Sequence, residues 1–231
     1  CDLLIDHNAA RTPDDYAGLL PEGCPVLAGA RYALIDPAFA QTAAARTPPV
    51  ALDRVLVSMG LTDVGGITGQ VAAALAEAEP ELAVDIAIGP NASSRAEAER
   101  LAETRERWRV HVDSRQMPAL MAQADLAVGA AGGGALERCA AGLPSLIIVV
   151  ADNQIGLAEA LDARGAAMRL PGGPELGASI ALALARLKAA PIMLRMMSDA
   201  ARAVCDGQGA ARAAEAILAL ASGDLKRAGE L

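Results

Sequence analysis

From Arg54 onward the chain alternates two kinds of segment. Short apolar runs rich in Val, Ile and Leu occupy Arg54–Met59, Ala83–Gly89, Trp108–Val112, Asp125–Val128, Ser145–Val150 and Ala166–Leu170. Helix-length, mostly Ala-rich segments lie between and after them, at Gly66–Ala78, Ser93–Arg105, Met117–Gln123, Ala135–Ala141, Gln154–Ala163 and Glu175–Ala189. Two further helical stretches follow, Ile192–Val204 and Ala210–Ala221. Strand-length runs alternating with helix-length runs predict an α/β fold with a doubly wound parallel sheet. Ahead of Arg54 the pattern is irregular. Residues 1–7 read as a buried strand, 8–23 as loop with a short helix, and Cys24–Ala28 as a second short strand. Arg31–Pro49, with Pro37, Pro48 and Pro49, has linker character, because proline ends helices and extends the residue before it.

The richest segment is 124–154, ADLAVGAAGGGALERCAAGLPSLIIVVADNQ. It reads as strand, glycine turn (Gly132-Gly133-Gly134), helix, a Gly-Leu-Pro stop, strand, and a loop ending in Asn153-Gln154. A glycine turn between strand and helix lets the backbone approach a phosphate, and the free N–H groups of the helix start bind it. Glu137 is placed in the first turn of that helix. There it suits the helix dipole, and it can also accept hydrogen bonds from the vicinal hydroxyls of a ribose. Glycine turns and early acidic residues also occur in parallel α/β domains that bind nothing. What sets this chain apart is convergence. The loops at Gly60–Gly66, Asp113–Arg115, Gly129–Gly134 and Ala151–Gln154 all follow strands, on the side where open α/β sheets bind ligands.

Composition narrows the partners. Hydrophobic residues make up 53% of the 231, aromatic residues only 2%, and the net charge is −8. A chain so acidic, with so few aromatic platforms, is not expected to read nucleic acid. No apolar run reaches the roughly 18–20 residues of a membrane span. The four cysteines, at 1, 24, 139 and 205, form no CxxC pair. That argues against a zinc site or a disulfide scaffold and predicts a cytoplasmic protein. No acidic cluster suggests a metal, and no cofactor is expected.

Four blocks carry a resemblance. The order AD-L-A, glycine turn, Glu, GLPS and NQ within 124–154 resembles the nucleotide-binding half of the GT-B superfamily. CDLLIDHNAARTPDDYAGLLPEGCPVLAGARYALIDPAF (1–39), VLVSMGLTDVGGIT (55–68) and DGQGAARAAEAI (206–217) are similar to the nucleotide-sugar hydrolases of pseudaminic acid biosynthesis. The resemblance implies a GT-B fold whose C-terminal nucleotide domain is complete. It implies hydrolysis of a UDP-linked diacetamido-trideoxy sugar, with a glycosyltransferase using a UDP-sugar donor, or a non-catalytic nucleotide-binding module, as alternatives. The family's catalytic histidine belongs to a glycine-histidine motif that no segment here matches. Because the chain starts with Cys1 inside a strand, that motif is expected upstream.

The same resemblance assigns the site. Gly60 and Thr62 would meet a phosphate; Leu61 stands where the family has a second glycine, and Gly65-Gly66 where it has two Asn. Val112 would hold uracil through its backbone while His111 covers the ring, although His111 reads equally as an exposed strand-end residue. Gly132, Gly133 and Gly134 would take the diphosphate and Glu137 the ribose. Asn153 and Gln154 would reach the sugar or β-phosphate, Asn153 being also a natural helix cap. Asp6 and Asn8 are placed at the cleft between the two halves, and His7 is given no catalytic role. Asp206-Gly207 marks a kink before the last helix, and Arg212 with Glu215 reads as a surface pair. The expected organisation is residues 1–50 as the remnant of an N-terminal domain with its linker, 51–190 as the nucleotide domain, and 191–231 as helices packing back toward the N-terminal part.

Overall fold

The computed structural model describes residues 1–46 and 50–224. Two short strands open the chain, β1 (Leu4–Asp6) and β2 (Val26–Ala28), paired in parallel. After them come helix α1 (Pro37–Ala45) and strand β3 (Arg54–Ser58). From there helices and strands alternate: α2 (Ile67–Ala78), β4 (Ala83–Ile88), α3 (Arg95–Glu103), β5 (Trp108–Val112), α4 (Met117–Gln123) and β6 (Leu126–Ala130). Then come α5 (Gly133–Ala140), β7 (Ser145–Ile148), α6 (Ile155–Ala163), β8 (Ala167–Leu170) and α7 (Leu176–Ala189). Helices α8 (Ile192–Val204) and α9 (Gly209–Ala221) complete the described part.

Strands β3 to β8 form one parallel sheet in the order β5-β4-β3-β6-β7-β8. The chain starts in the middle, runs outward to β5, then returns to the other side of β3. The reversal lies between β3 and β6, the place where open α/β sheets leave a crevice. Every position of β4 and β6 is buried, which is why these segments carry no regular polar alternation; Asp85 of β4 is the one charged residue among them. Alternate residues of each strand serve opposite faces. Val55 and Val57 join Leu75, Ile86 and Leu184 in one core layer, whereas Leu56 joins Leu120, Leu136 and Ile147 in the other.

Three expectations change. Residues 31–49 are not a simple linker, because α1 occupies their centre. Pro37 is the first residue of that helix, where its missing N–H costs nothing, and the Asp36 carboxylate accepts from Ala38 N at 2.9 Å. Phe39 is buried among side chains of α4 and α5. Residues 47–49, with Pro48 and Pro49, lie outside the described residues. The first strand is shorter than 1–7 and only half-buried. Leu3 and Ile5 pack against Leu27, Tyr32 and Ala216. Arg212 has a different partner from the one its i,i+3 spacing suggests: its guanidinium takes both carboxylate oxygens of Asp206, and Nη1 also donates to the Arg31 carbonyl at 2.9 Å.

The DGQG segment (206–209) lets α9 pack against the start of the chain. Gly207 turns the backbone at φ +72°. A β-carbon on Gly209 would overlap the backbone of Tyr32 and Ala33. No residue but glycine allows so close an approach.

Candidate functional site

A cleft of about 510 Å³ opens at the carboxyl ends of β3 and β6, at the point of reversal. Its walls are the loop after β3, the start of α5, and the segment between β7 and α6. Of the residues picked out by sequence, Gly60, Thr62, Gly132, Gly133, Gly134, Glu137 and Gln154 line it.

The turn between β6 and α5 has Gly132 in extended geometry (φ −94°, ψ −160°), and the helix begins at Gly133, two residues before the predicted start. A β-carbon on Gly133 would meet nothing within 4 Å. Its side-chain position is open space on the cleft wall. The N–H groups of the first turn have no partner within the helix, so this end offers donors and a positive dipole to an anion.

The earlier helix start moves Glu137 out of the first turn, which holds no acidic residue. The dipole therefore no longer accounts for it. Burial pushes the Glu137 carboxyl above its ordinary range, with Arg138 opposing. Among the described residues no hydrogen bond satisfies this half-buried carboxylate, which lines the cleft.

The loop after β3 is tied down by Asp63. This residue is 1% exposed and left-handed at φ +46°. Its Oδ1 accepts from Thr68 N at 2.8 Å and its Oδ2 from Ser94 N at 3.0 Å. Burial raises the Asp63 pKa, but the hydrogen bonds from Ser94 and Thr68 outweigh it and hold the group below the usual carboxylate range. Gly65 and Gly66 are both left-handed, φ +72° and +65°. Asn is the residue that tolerates this conformation next best, so two Asn could occupy the same turn.

Gln154 turns back toward its own loop. Its Oε1 accepts from Val150 N at 3.1 Å, and Nε2 faces Gly132 across the cleft. Asn153 is exposed, caps no helix and does not line the cleft. Neither do His111 and Val112. The His111 side chain lies on the sheet face, where Nε2 meets the buried Asp85 carboxylate at 2.7 Å, and Arg54 Nη1 donates to the other oxygen at 2.7 Å. The strand pleat explains this: 111 sits two residues past Arg109 on the face that carries Asp85. Asp6 and Asn8, expected at a cleft between the two halves, do not line this one. Asp6 accepts from Asn8 N at 2.8 Å and from the Tyr16 hydroxyl.

Two contributors escaped the sequence reading. Arg138 lines the cleft yet is 2% exposed. Burial pulls its pKa down to about 10, which still leaves it charged at neutral pH. Gly129 leaves room for that guanidinium. The available signal was an arginine followed by the apolar run Cys139-Ala140-Ala141.

No protein-family model matches the chain. A stretch of 113 residues is 38% identical to the UDP-N-acetylglucosamine–N-acetylmuramyl-(pentapeptide) pyrophosphoryl-undecaprenol N-acetylglucosamine transferase of Sorangium cellulosum. That stretch is 47% of this chain but only 28% of the transferase. Among solved structures, Acinetobacter baumannii MurG aligns with TM-score 0.63 at 16% identity, over 94% of this chain and 66% of that one. A putative UDP-N-acetylglucosamine 2-epimerase of Listeria monocytogenes aligns with TM-score 0.62 at 15% identity, over 90% of this chain and 56% of its own. The chain thus spans about two thirds or less of the proteins it is similar to. Among the described residues no single helix is long and apolar enough to cross a membrane. The parallel α/β architecture matches the fold of GT-B Rossmann-like domains.

Proposed function

We propose that this chain forms the nucleotide-sugar site of a GT-B enzyme that breaks the bond between UDP and the anomeric carbon of a sugar. The observation that carries the reading is the placement of the open α5 N-terminus and the unsatisfied Glu137 carboxylate on one cleft. The spare N–H groups of α5 would hold the diphosphate and stabilise the charge that builds on it as it departs. Glu137 would accept from the ribose hydroxyls, and the Gln154 amide would donate to phosphate or sugar. We extend this to the organisation of the chain, with 51–190 as the nucleotide domain and residues 1–50 and 191–231 as parts of an N-terminal lobe and its closing helices.

Water or another acceptor would complete the reaction, and two readings follow. The 38% match to an N-acetylglucosamine transferase supports transfer to an acceptor and is the stronger support from relatives. The three blocks at 1–39, 55–68 and 206–217 support hydrolysis, with release of UDP and a diacetamido-trideoxy sugar. In either case the group that activates the nucleophile is assigned to the histidine motif that residues 1–231 do not match. We therefore expect this chain to bind UDP without turnover. In a form that also carries the histidine motif, UDP release without acceptor marks a hydrolase, and acceptor-dependent release marks a transferase. Turnover by residues 1–231 alone would remove the assignment of catalysis to that motif.

A further inference from the structure

The floor of the cleft holds a buried cation on which the adjacent Glu137 carboxylate acts without forming an ion pair. Among the described residues no carboxylate forms an ion pair with Arg138, although it is 2% exposed. Its Nε donates to Ser145 Oγ at 3.2 Å and its Nη2 to the Ala130 carbonyl at 2.8 Å, both neutral acceptors. Nη1 makes no hydrogen bond among the described residues. It lies beneath the glycine turn: a β-carbon on Gly129 would stand 2.5 Å from it, and one on Gly134 3.6 Å. Burying a guanidinium without an acid is costly, and here the sequence also gives up a side chain at 129 to make space for it. Such a cation is compensated when an anion arrives from outside.

We propose that Arg138 is the positioning residue of the diphosphate subsite. Its two neutral hydrogen bonds fix the guanidinium under the turn, and its charge strengthens the hold of the α5 N-terminus on phosphate oxygens. The neighbouring Glu137 carboxylate opposes this charge and is, on the same reading, occupied by ribose hydroxyls. The inference rests on the nucleotide-sugar reading of this cleft and adds which residue sets the affinity for the phosphates.

The test compares uridine, UMP and UDP binding by calorimetry, at fixed ionic strength, in the wild type, Arg138→Lys and Arg138→Met. Arg138→Met should lose about tenfold to a hundredfold in UDP affinity, less for UMP, with uridine unchanged. Arg138→Lys should recover part of the loss, since it keeps the charge but not the fork of donors. A residue that merely props up the turn would weaken all three ligands in parallel, so a uniform loss overturns the proposal, as does unchanged UDP affinity. Should the Met variant fail to fold, the Lys variant decides: a UDP-to-uridine affinity ratio equal to that of wild type overturns it. A wild type that binds no UDP removes the nucleotide reading itself, an outcome separate from loss of the Arg138 role alone.

Discussion

The carbonyl oxygen of Leu61 rests on the backbone of Gly89, in the space a β-carbon would fill. The end of β4 thus supports the loop after β3 from below, and that loop forms one wall of the cleft. Gly89→Ala should lift the loop, with a stability loss of about 1–3 kcal/mol from overpacking and weaker UDP binding. Thermal melts and calorimetry together check this. A variant that melts and binds like the wild type would show that the loop yields without consequence.

Glu137 should make UDP binding depend on pH. Its folded pKa is raised by burial, so its contribution to folding is fully present below the ordinary carboxylate range and is lost as pH rises through the raised value. Binding runs the other way, because hydroxyls donate best to the ionised form. UDP and UMP affinity should therefore fall as pH drops through the raised pKa, and Glu137→Gln should flatten the step. Glu137→Ala should cost about 1–3 kcal/mol of UDP affinity, the range for hydrogen bonds to a charged group. UMP affinity that survives the substitution in a folded variant would leave the ribose without this partner.

Gly133 separates ligand contact from fold strain. It is not left-handed, and its β-carbon position is empty. Gly133→Val should not destabilise the helix, since glycine is the poorer helix former, while the branched side chain projects where the diphosphate would lie. UDP binding should collapse and uridine binding persist. If UDP binds normally to Gly133→Val, the phosphate site is elsewhere, and the loop at Gly60–Thr62 is the next place to look.

The Asp206–Arg212 pair predicts an acid-sensitive seam. The hydrogen bonds from Arg212 hold the Asp206 carboxyl down to about 2. A depressed carboxylate contributes stability that is fully present above its unfolded pKa and is lost as pH falls through the folded value, here between about 4 and 2. Asp206 is substantially exposed, so screening limits the effect to about 1 kcal/mol. Asp206→Asn should remove this part of the pH dependence, measured as denaturation midpoint against pH. An identical acid profile in the variant would assign the loss to other carboxylates.

How much of this was legible in the residues alone depended on range. The strands of the main sheet could be placed to within a residue or two, because buried parallel strands announce themselves as apolar runs such as Leu146-Ile147-Ile148. Helix α1 was missed because a proline reads as a stop, although the same residue starts a helix when Asp36 caps it. The glycine turn, Glu137 and Gln154 could be placed on the cleft because each lies in the loop or helix that follows a strand. His111 was misplaced, since a strand's pleat decides which face a side chain joins, and its partner Asp85 is on another strand. The cation–glycine pairing of Arg138 with Gly129 is a tertiary fact, and only the odd arginine hinted at it.

The contact between Gly209 and the backbone at Tyr32–Ala33 has a consequence in time. The hydrogen bond from Arg212 to the Arg31 carbonyl closes a separation of 181 residues. Contacts of such separation form late, because the loop they close costs entropy before it returns any stability. During synthesis, β1 and β2 leave the ribosome well before α9 is made. These two strands must therefore persist through the synthesis of everything between them and the helix that covers Leu27 and Tyr32. Over that interval their apolar side chains and open strand edges are exposed to chaperones and to other nascent chains.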